Sequence, residues 1–490
     1  MSDTLTRPVD VLLRAARDRA LDPDSHARLD EALRRLSEPL RVAVAGRVKA
    51  GKSTLLNALL GEELAATDAG ECTKIVTWYV RGDVARVLVY GQDGEPIPRP
   101  FRRDDGSLEV DLGVPPERVE HLEVRWPSSR LREMTFIDTP GIGSLSTDVS
   151  QRTVVALSAD EEDDRPAVAD AVIYLLKHTH ASDVRFLEAF HDDELARGTP
   201  LNAVGVLSRA DEIGSSRRDA LEVASRIAKR YETDSRLHRL CPIVVPVAGL
   251  LGQAGTTLRE EEFRALYRLA AAPPAVVEEL LLTADRVGRE DVHLDVTPLE
   301  RRHLLERLGL FGLRMMVRAV RQDGVRTALE ASQLLVRTSG LEQLRMVLAS
   351  QFAERSRLLK ARSALSALRA VVASGGCAEG AALAAGCEEI IASAHEFTEV
   401  RLLDDIRSGT VDVPPRYLEE MERLLGAAGH AAAVRLGLAL DSPPDTVRGA
   451  ALEALARWQR LAESPLADRR FAQAARGVTR SCEGIVAATL

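Results

Sequence analysis

Gly46-Arg47-Val48-Lys49-Ala50-Gly51-Lys52-Ser53-Thr54 follows the apolar run Arg41-Val42-Ala43-Val44-Ala45 and precedes Leu55, Leu56, Leu59 and Leu60 at helical spacing. A strand ending in glycine, a turn of fixed length and a helix opening on Lys-Ser form the arrangement of a phosphate loop. The chemistry follows from the residue types. Gly46 and Gly51 let backbone amides turn inward around phosphate oxygens. The helix N-terminus adds partial positive charge. Lys52 reaches the β and γ phosphates, and the Ser53 hydroxyl is placed for Mg2+. All nine residues of the stretch are candidate nucleotide contacts.

Two further strings come after strand-like runs, in the order a nucleotide switch domain needs. Phe136-Ile137-Asp138-Thr139-Pro140-Gly141 closes a run about 85 residues after the loop. Asp138 there can hold Mg2+ through water, and Gly141 can present its amide to the γ phosphate unobstructed. Leu207-Ser208-Arg209-Ala210-Asp211 follows the run at 203–207. A carboxylate at Asp211 accepts the N1–H and N2–H of guanine, a donor pair adenine lacks, so it selects GTP and GDP. Arg209 stands where lysine is usual, beside Ser208, and can lay its stem and planar head over the ring. Pro246-Val247-Ala248-Gly249 would line the base from the other side through Ala248. Within Gly70-Glu71-Cys72-Thr73-Lys74, Thr73 is a third Mg2+ candidate. Thr67 is a rival for that role, and Thr73 is preferred.

Around these motifs the 490 residues sort into two patterns. Apolar runs at 85–90, 119–126, 134–137, 171–176, 203–207 and 243–247 alternate with helical patterns at 183–190 and 216–230. This predicts an α/β domain with a mostly parallel sheet over 39–255. Residues 91–118, rich in Gly, Pro, Asp and Arg, read as a hairpin insertion or a mobile loop. Past about 255 the strand signal stops, and helical patterns fill 260–284, 298–321, 324–338, 341–373, 380–407, 415–440, 444–463 and 466–488. Two helices within 1–38 are expected in a neck bundle, 256–340 as neck helices and hinge, and 341–490 as a stalk whose last helices return to the neck. As one helix, 341–373 would run about 50 Å, which favours an elongated bundle over a compact helical cap. The expected fold class is an α/β P-loop GTPase domain on a long all-α helical bundle. Hydrophobic residues at 45% exclude wholesale disorder, and 65 basic against 74 acidic residues argue against a DNA-wrapping protein. Five scattered cysteines do not make a disulfide scaffold. With no apolar run of membrane-spanning length and no secretory pattern at the start, the composition suggests a soluble protein of a reducing compartment.

The strings from Gly46 to Leu59, Gly70 to Lys74 and Asp138-Thr139-Pro140-Gly141-Ile142-Gly143-Ser144 resemble bacterial dynamin-like GTPases. They are most similar to the mycobacterial isoniazid-inducible group, in particular its shorter members. The resemblance covers the GTPase domain, and reaches Leu308-Gly309-Leu310-Phe311-Gly312 and the overall length beyond it. It implies a GTPase head on helical bundles, a homodimer through the heads in the GTP-bound state, and membrane remodelling or maintenance. It also implies GTP/GDP and Mg2+ as cofactors and a second dynamin-like protein as a partner. Two positions depart from the pattern. Eukaryotic dynamins carry Gln where Val48 stands, and that Gln orients the attacking water. Lys49 falls where dynamins have Ser and guanylate-binding relatives an Arg finger, so Lys49 is a candidate for stabilising charge. The candidate catalytic set is Lys49, Lys52, Thr73 and Gly141.

Three classes of function compete: a self-associating mechanochemical GTPase at membranes, an assembly GTPase acting on RNA or ribosomes, and a weakly hydrolysing scaffold or partner subunit. No KH, OB or basic-tail pattern is present, so no nucleic-acid partner is expected. Val48 keeps the scaffold in play. A cytoplasmic placement is expected, with peripheral contact at the inner face of the cell membrane. Residues 371–400 contain no Lys or Arg and five acids, Glu379, Glu388, Glu389, Glu396 and Glu399. A tip at Ser374-Gly375-Gly376-Cys377 would therefore meet an anionic leaflet weakly, and membrane contact is expected to be weak or indirect. His178 and His180 lack metal partners at suitable spacing. Cys377 and Cys387 read as packing residues, and 308–320 as a buried hinge helix rather than a membrane-surface one.

Overall fold

Leu40, Val42 and Val44 face one apolar core while Ala43 and Ala45 face another, so strand β1 (Leu40–Gly46) is buried on both sides. Apolar residues in both phases of a period-two pattern make a central strand. The computed structural model describes residues 5–65, 75–91, 95–104, 107–140, 169–177, 187, 202–234, 237, 240–407, 409–465 and 467–489. The remaining strands are β2 (Val76–Arg81), β3 (Arg86–Gly91), β4 (Ile97–Arg99), β5 (Phe101–Asp104), β6 (Ser107–Val110), β7 (Val119–Trp126), β8 (Met134–Asp138), β9 (Ala171–Leu176), β10 (Ala203–Ser208) and β11 (Val244–Val247).

Nine strands form one sheet in the order β11-β10-β9-β1-β8-β2-β7-β3-β4. The half from β11 to β8 is parallel, but β2 joins β8 antiparallel, and β3 runs antiparallel to both β7 and β4. With β2 and β7 paired parallel, five of the eight pairings are parallel, so the sheet is mostly parallel with a mixed edge. Strand-like runs in sequence do not state direction, and short returns after β2 and β3 allow reversal. Residues 91–118 contribute β4 to the sheet edge and the β5–β6 hairpin.

Helix α3 (Lys52–Leu60) and the Leu341–Leu348 helix pack into the core on one face of the sheet, and the Ala220–Glu232 helix into the core on the other. A third core joins the Gly249–Thr257, Glu260–Ala271, Pro298–Gln322 and Ala328–Thr338 helices. A fourth builds the bundle from α1 (Thr6–Arg17), α2 (Pro23–Ser37) and the helices from Ser356 to Ala488. The N-terminal helices therefore pack on the Ser356–Ala373 and Gly380–Ser393 helices rather than on the 256–340 helices with which the sequence reading grouped them. The Arg469–Ala488 helix likewise stays in the bundle core, against Pro444–Ala462.

The 341–373 pattern is not one helix. Leu341, Leu344, Leu348 and Phe352 belong to the head core, whereas Leu365, Leu368 and Val371 belong to the bundle core. A π-helical turn at Ala349–Ala353 separates the two segments. Apolar periodicity runs through both, but they face different cores, and the π turn resets the register. The Pro298–Gln322 helix breaks similarly at Gly309, whose φ of 65° lies outside helical space. The Ser374–Cys377 turn is bonded to the α1–α2 connection: Gly376 O accepts from Leu21 N at 2.9 Å and Arg19 O from Ala378 N at 2.9 Å. Cys377 and Cys387 are buried free thiols. His178 and His180 lie outside the described residues. No helix among the described residues is long and apolar enough to cross a membrane.

Candidate nucleotide site

Parallel pairing of β1 with β8 sets Val44 against Asp138, and pairing with β9 sets Gly46 against Leu175. A Cβ on Gly46, where φ is 149°, would lie 3.0 Å from both Cβ and O of Leu175, so only glycine lets the loop leave the sheet here. Gly51 turns the chain into α3 with φ 92°, and Lys49 adopts a left-handed φ of 62°. Arg47, Val48 and Lys49 are exposed, and Ala50 is buried beneath them.

Lys52 folds its ammonium back on the loop and donates to Gly46 O at 3.3 Å. Ser53 Oγ donates to Asp138 Oδ2 at 3.2 Å. Asp138 Oδ1 is buried and makes no hydrogen bond among the described residues. Burial pushes the Asp138 carboxyl up to about 6, opposed by the nearby Lys52 charge. Burial in turn lowers Lys52, with Asp138 acting against it. Thr139 Oγ1 donates to Val44 O at 2.9 Å and fixes the chain after the acid. An open carboxylate oxygen beside a serine hydroxyl and a lysine is a hard-oxygen setting that suits Mg2+. Thr73 and Gly141 lie outside the described residues.

A cleft of about 110 Å³ opens beside the loop, lined by residues that include Ala50, Thr54, Ser208, Arg209, Asp211 and Leu250. Asp211 is 5% exposed, and burial pushes its carboxyl up to about 6, with Glu212 adding to the rise and Arg209 opposing it. Ser208 Oγ donates to Leu176 O at 3.2 Å. Arg209 has φ 53° and its head is held by Glu212 at 2.8 Å, so its stem rather than its guanidinium is available to a ring. Val247, Gly249 and Leu250 form the wall expected of Ala248. Ala248 itself is fully buried, and its amide donates to Ser339 O at 2.9 Å.

The sequence reading gave no role to Asn57. Its Oδ1 accepts from the amides of Leu64 and Ala65 at 2.9 and 2.7 Å, and Nδ2 donates to Ala65 O at 3.0 Å. The chain leaving α3 is thereby fixed just before residue 66. Arg130 and Arg345 donate to Leu59 O and Ala58 O at 3.0 and 2.9 Å, closing the C-terminal end of α3 with two cations. An asparagine five residues past Lys52 was a visible signal. The arginines carried none, because they come from distant segments.

Residues 41–201 match the family model described as 50S ribosome-binding GTPase. The isoniazid-induced protein IniC of Mycobacterium tuberculosis is 40% identical over 465 residues, covering 95% of this chain and 93% of that protein. The chain belongs to the IniC family of dynamin-like GTPases. IniA of the same organism is 37% identical to this chain over 125 residues, covering 24% of this chain and 20% of IniA. One chain of a solved oligomerised bacterial dynamin pair aligns across 99% of this chain and 72% of its own length, at 15% identity and a TM-score of 0.33. As a member of the IniC family the chain is a GTPase that binds GTP and GDP, with a P-loop head followed by helical bundles.

Proposed function

We propose that the chain hydrolyses GTP with Mg2+ in the head and converts head pairing in the GTP state into movement of the bundles, in membrane remodelling or maintenance. The observation that carries this reading is the Asp138 carboxylate, bonded to Ser53 through one oxygen, with the other buried and without a hydrogen-bond partner among the described residues. Among the described residues no group of three or more His, Cys, Asp or Glu could hold a metal. An ion here would therefore depend on nucleotide phosphate oxygens as well as on Ser53, Asp138 and Thr73. Mg2+, when bound, supplies charge neutralisation across the β and γ phosphates.

The chain's own residues divide the remaining work. Lys52 leaves Gly46 O for the β and γ phosphates. Gly141 offers an amide to the γ phosphate, and Asp211 reads the guanine. Lys49, exposed at the loop, meets charge that appears as the bond breaks. Val48 neither donates nor accepts, so water must be oriented by a main-chain group or by the partner head. Its exposure of 48% places an apolar side chain on the surface such a head would cover. The same residue favours a second reading, a slow GTP-switched scaffold or partner subunit of another dynamin-like protein. Turnover per molecule measured across protein concentrations decides between them. A rise with concentration, and dimers in a transition-state analogue, are expected; flat activity and persistent monomers would leave the scaffold.

A further inference from the structure

The loop that carries Asp211 has an unfavourable backbone. Arg209, Gly214, Ser215 and Ser216 have φ of 53°, 63°, 62° and 59°, and three of the four bear a Cβ. Left-handed residues of this kind persist only where the surroundings over-determine them. Part of that constraint comes from the neck helix Pro298–Gln322. Arg314 Nη1 donates to Ser216 O at 2.9 Å, while its Nε and Nη2 donate to Leu281 O and Leu282 O, each at 2.8 Å. One planar guanidinium thus joins the loop to the 281–282 turn, which an ammonium could not do with the same reach and geometry. The same helix touches the loop again five residues earlier. A Cβ at Gly309 would lie 3.5 Å from Asp211 Oδ2 and 3.7 Å from Leu250 Cδ1. Ile213, between Asp211 and the left-handed residues, packs against the neck core.

We infer that Arg314 is a positioning residue for guanine recognition, holding the 213–217 turn closed through Ser216 and so aiming the Asp211 carboxylate at the base. This rests on the reading of Asp211 as the acid that binds guanine N1–H and N2–H. Arg314 touches no nucleotide and acts through the loop. By reciprocity, a base seated on Asp211 strengthens the contact between loop and neck helix.

The test uses the full chain with Arg314→Met, Arg314→Lys, and Arg314→Met combined with Ser215→Gly and Ser216→Gly. Affinities for GDP and for inosine diphosphate, which lacks the 2-amino group, are measured by calorimetry, and turnover at saturating GTP separately. Wild type should prefer GDP. Arg314→Met should weaken GDP about tenfold, equivalent to about 1.4 kcal/mol. It should weaken inosine diphosphate less, compress the preference, and leave saturated turnover within about twofold. The two glycines should restore GDP affinity to within about threefold, because glycine enters left-handed space without steric cost. Arg314→Lys should fall between wild type and Arg314→Met, and it carries the test if the methionine variant fails to fold. An unchanged preference in a folded Arg314 variant, or an equal loss for both nucleotides that the glycines do not rescue, would overturn the inference. If wild type shows no preference and Asp211→Asn changes neither affinity, the guanine reading itself has failed and the inference falls with it.

Discussion

Lowering the pH from 7.5 to 5 should weaken guanine binding through Asp211. Burial of this carboxyl pushes it up to about 6 in the empty head. Only the ionised acid accepts both guanine N–H groups, so affinity follows the ionised fraction. That fraction is nearly complete at pH 7.5 and about a tenth at pH 5, so GDP affinity should fall about tenfold through this group. Binding at pH 6 should release about half a proton, because the empty acid is half protonated there and the bound acid is ionised. Calorimetry with GDP in EDTA, in buffers of different ionisation heat, reads both quantities. Asp211→Asn is the control. Titration of the GDP phosphate and of Asp138 is common to both proteins and cancels in the ratio of their affinities. A wild-type to Asp211→Asn ratio that stays flat from pH 5 to 7.5 would refute the argument. The same burial fixes a sign for stability. The folded pKa lies above the unfolded value of 3.8, so the empty head is favoured below about pH 4. It loses up to about 3 kcal/mol as pH rises through about 6, a slope that Asp211→Asn should remove.

Lys49→Ala should slow turnover by about 100-fold while changing GDP affinity little, because the charge it meets develops in the transition state; a parallel loss in both would make Lys49 a general phosphate anchor. Asp138→Asn should abolish Mg2+-dependent turnover yet stabilise the empty head at pH 7.5 by up to about 3 kcal/mol, since a carboxyl that burial pushes up to about 6 no longer has to ionise. Unfolding midpoints of the nucleotide-free proteins check the sign, and a less stable Asp138→Asn would contradict it. The purified chain should float poorly with phosphatidylglycerol or cardiolipin vesicles, because the 371–400 stretch is acidic. Strong nucleotide-independent flotation, lost in Leu21→Asp at the exposed α1–α2 turn, would reverse that charge argument.

Much of the nucleotide site was legible because its parts are local. Gly46, Gly51, Lys52 and Ser53 lie within eight residues, and a run of that length encodes its own backbone path. Asp138 and Asp211 each sit at or just past the end of a strand marked in the sequence by a short, nearly continuous apolar run. Within Pro246–Gly249, Val247 and Gly249 line the cleft with Leu250, whereas Ala248 is buried and its amide is taken by Ser339 O. Arg209 stands where its stem and head could both cover a base, but Glu212 holds the head and leaves the stem. In both cases a partner reached by folding decided what a correctly placed residue can do.

Fold class, the phosphate-loop string and the place of Asp211 just after a strand were legible in the amino-acid sequence alone, since each depends on the order of residues within one strand, turn or helix. Tertiary structure decided the mixed sheet, the break of the 341–373 pattern at Ala349–Ala353 and the grouping of α1 and α2 with the distal bundle. It also decided the meeting of Ser53 with Asp138 and of Arg314 with Ser216, residues 85 and 98 positions apart. Apolar periodicity says that a face is buried but not against what. Which core receives Leu344 and which receives Leu365, and which carbonyl a distant arginine reaches, is settled only when the elements pack together.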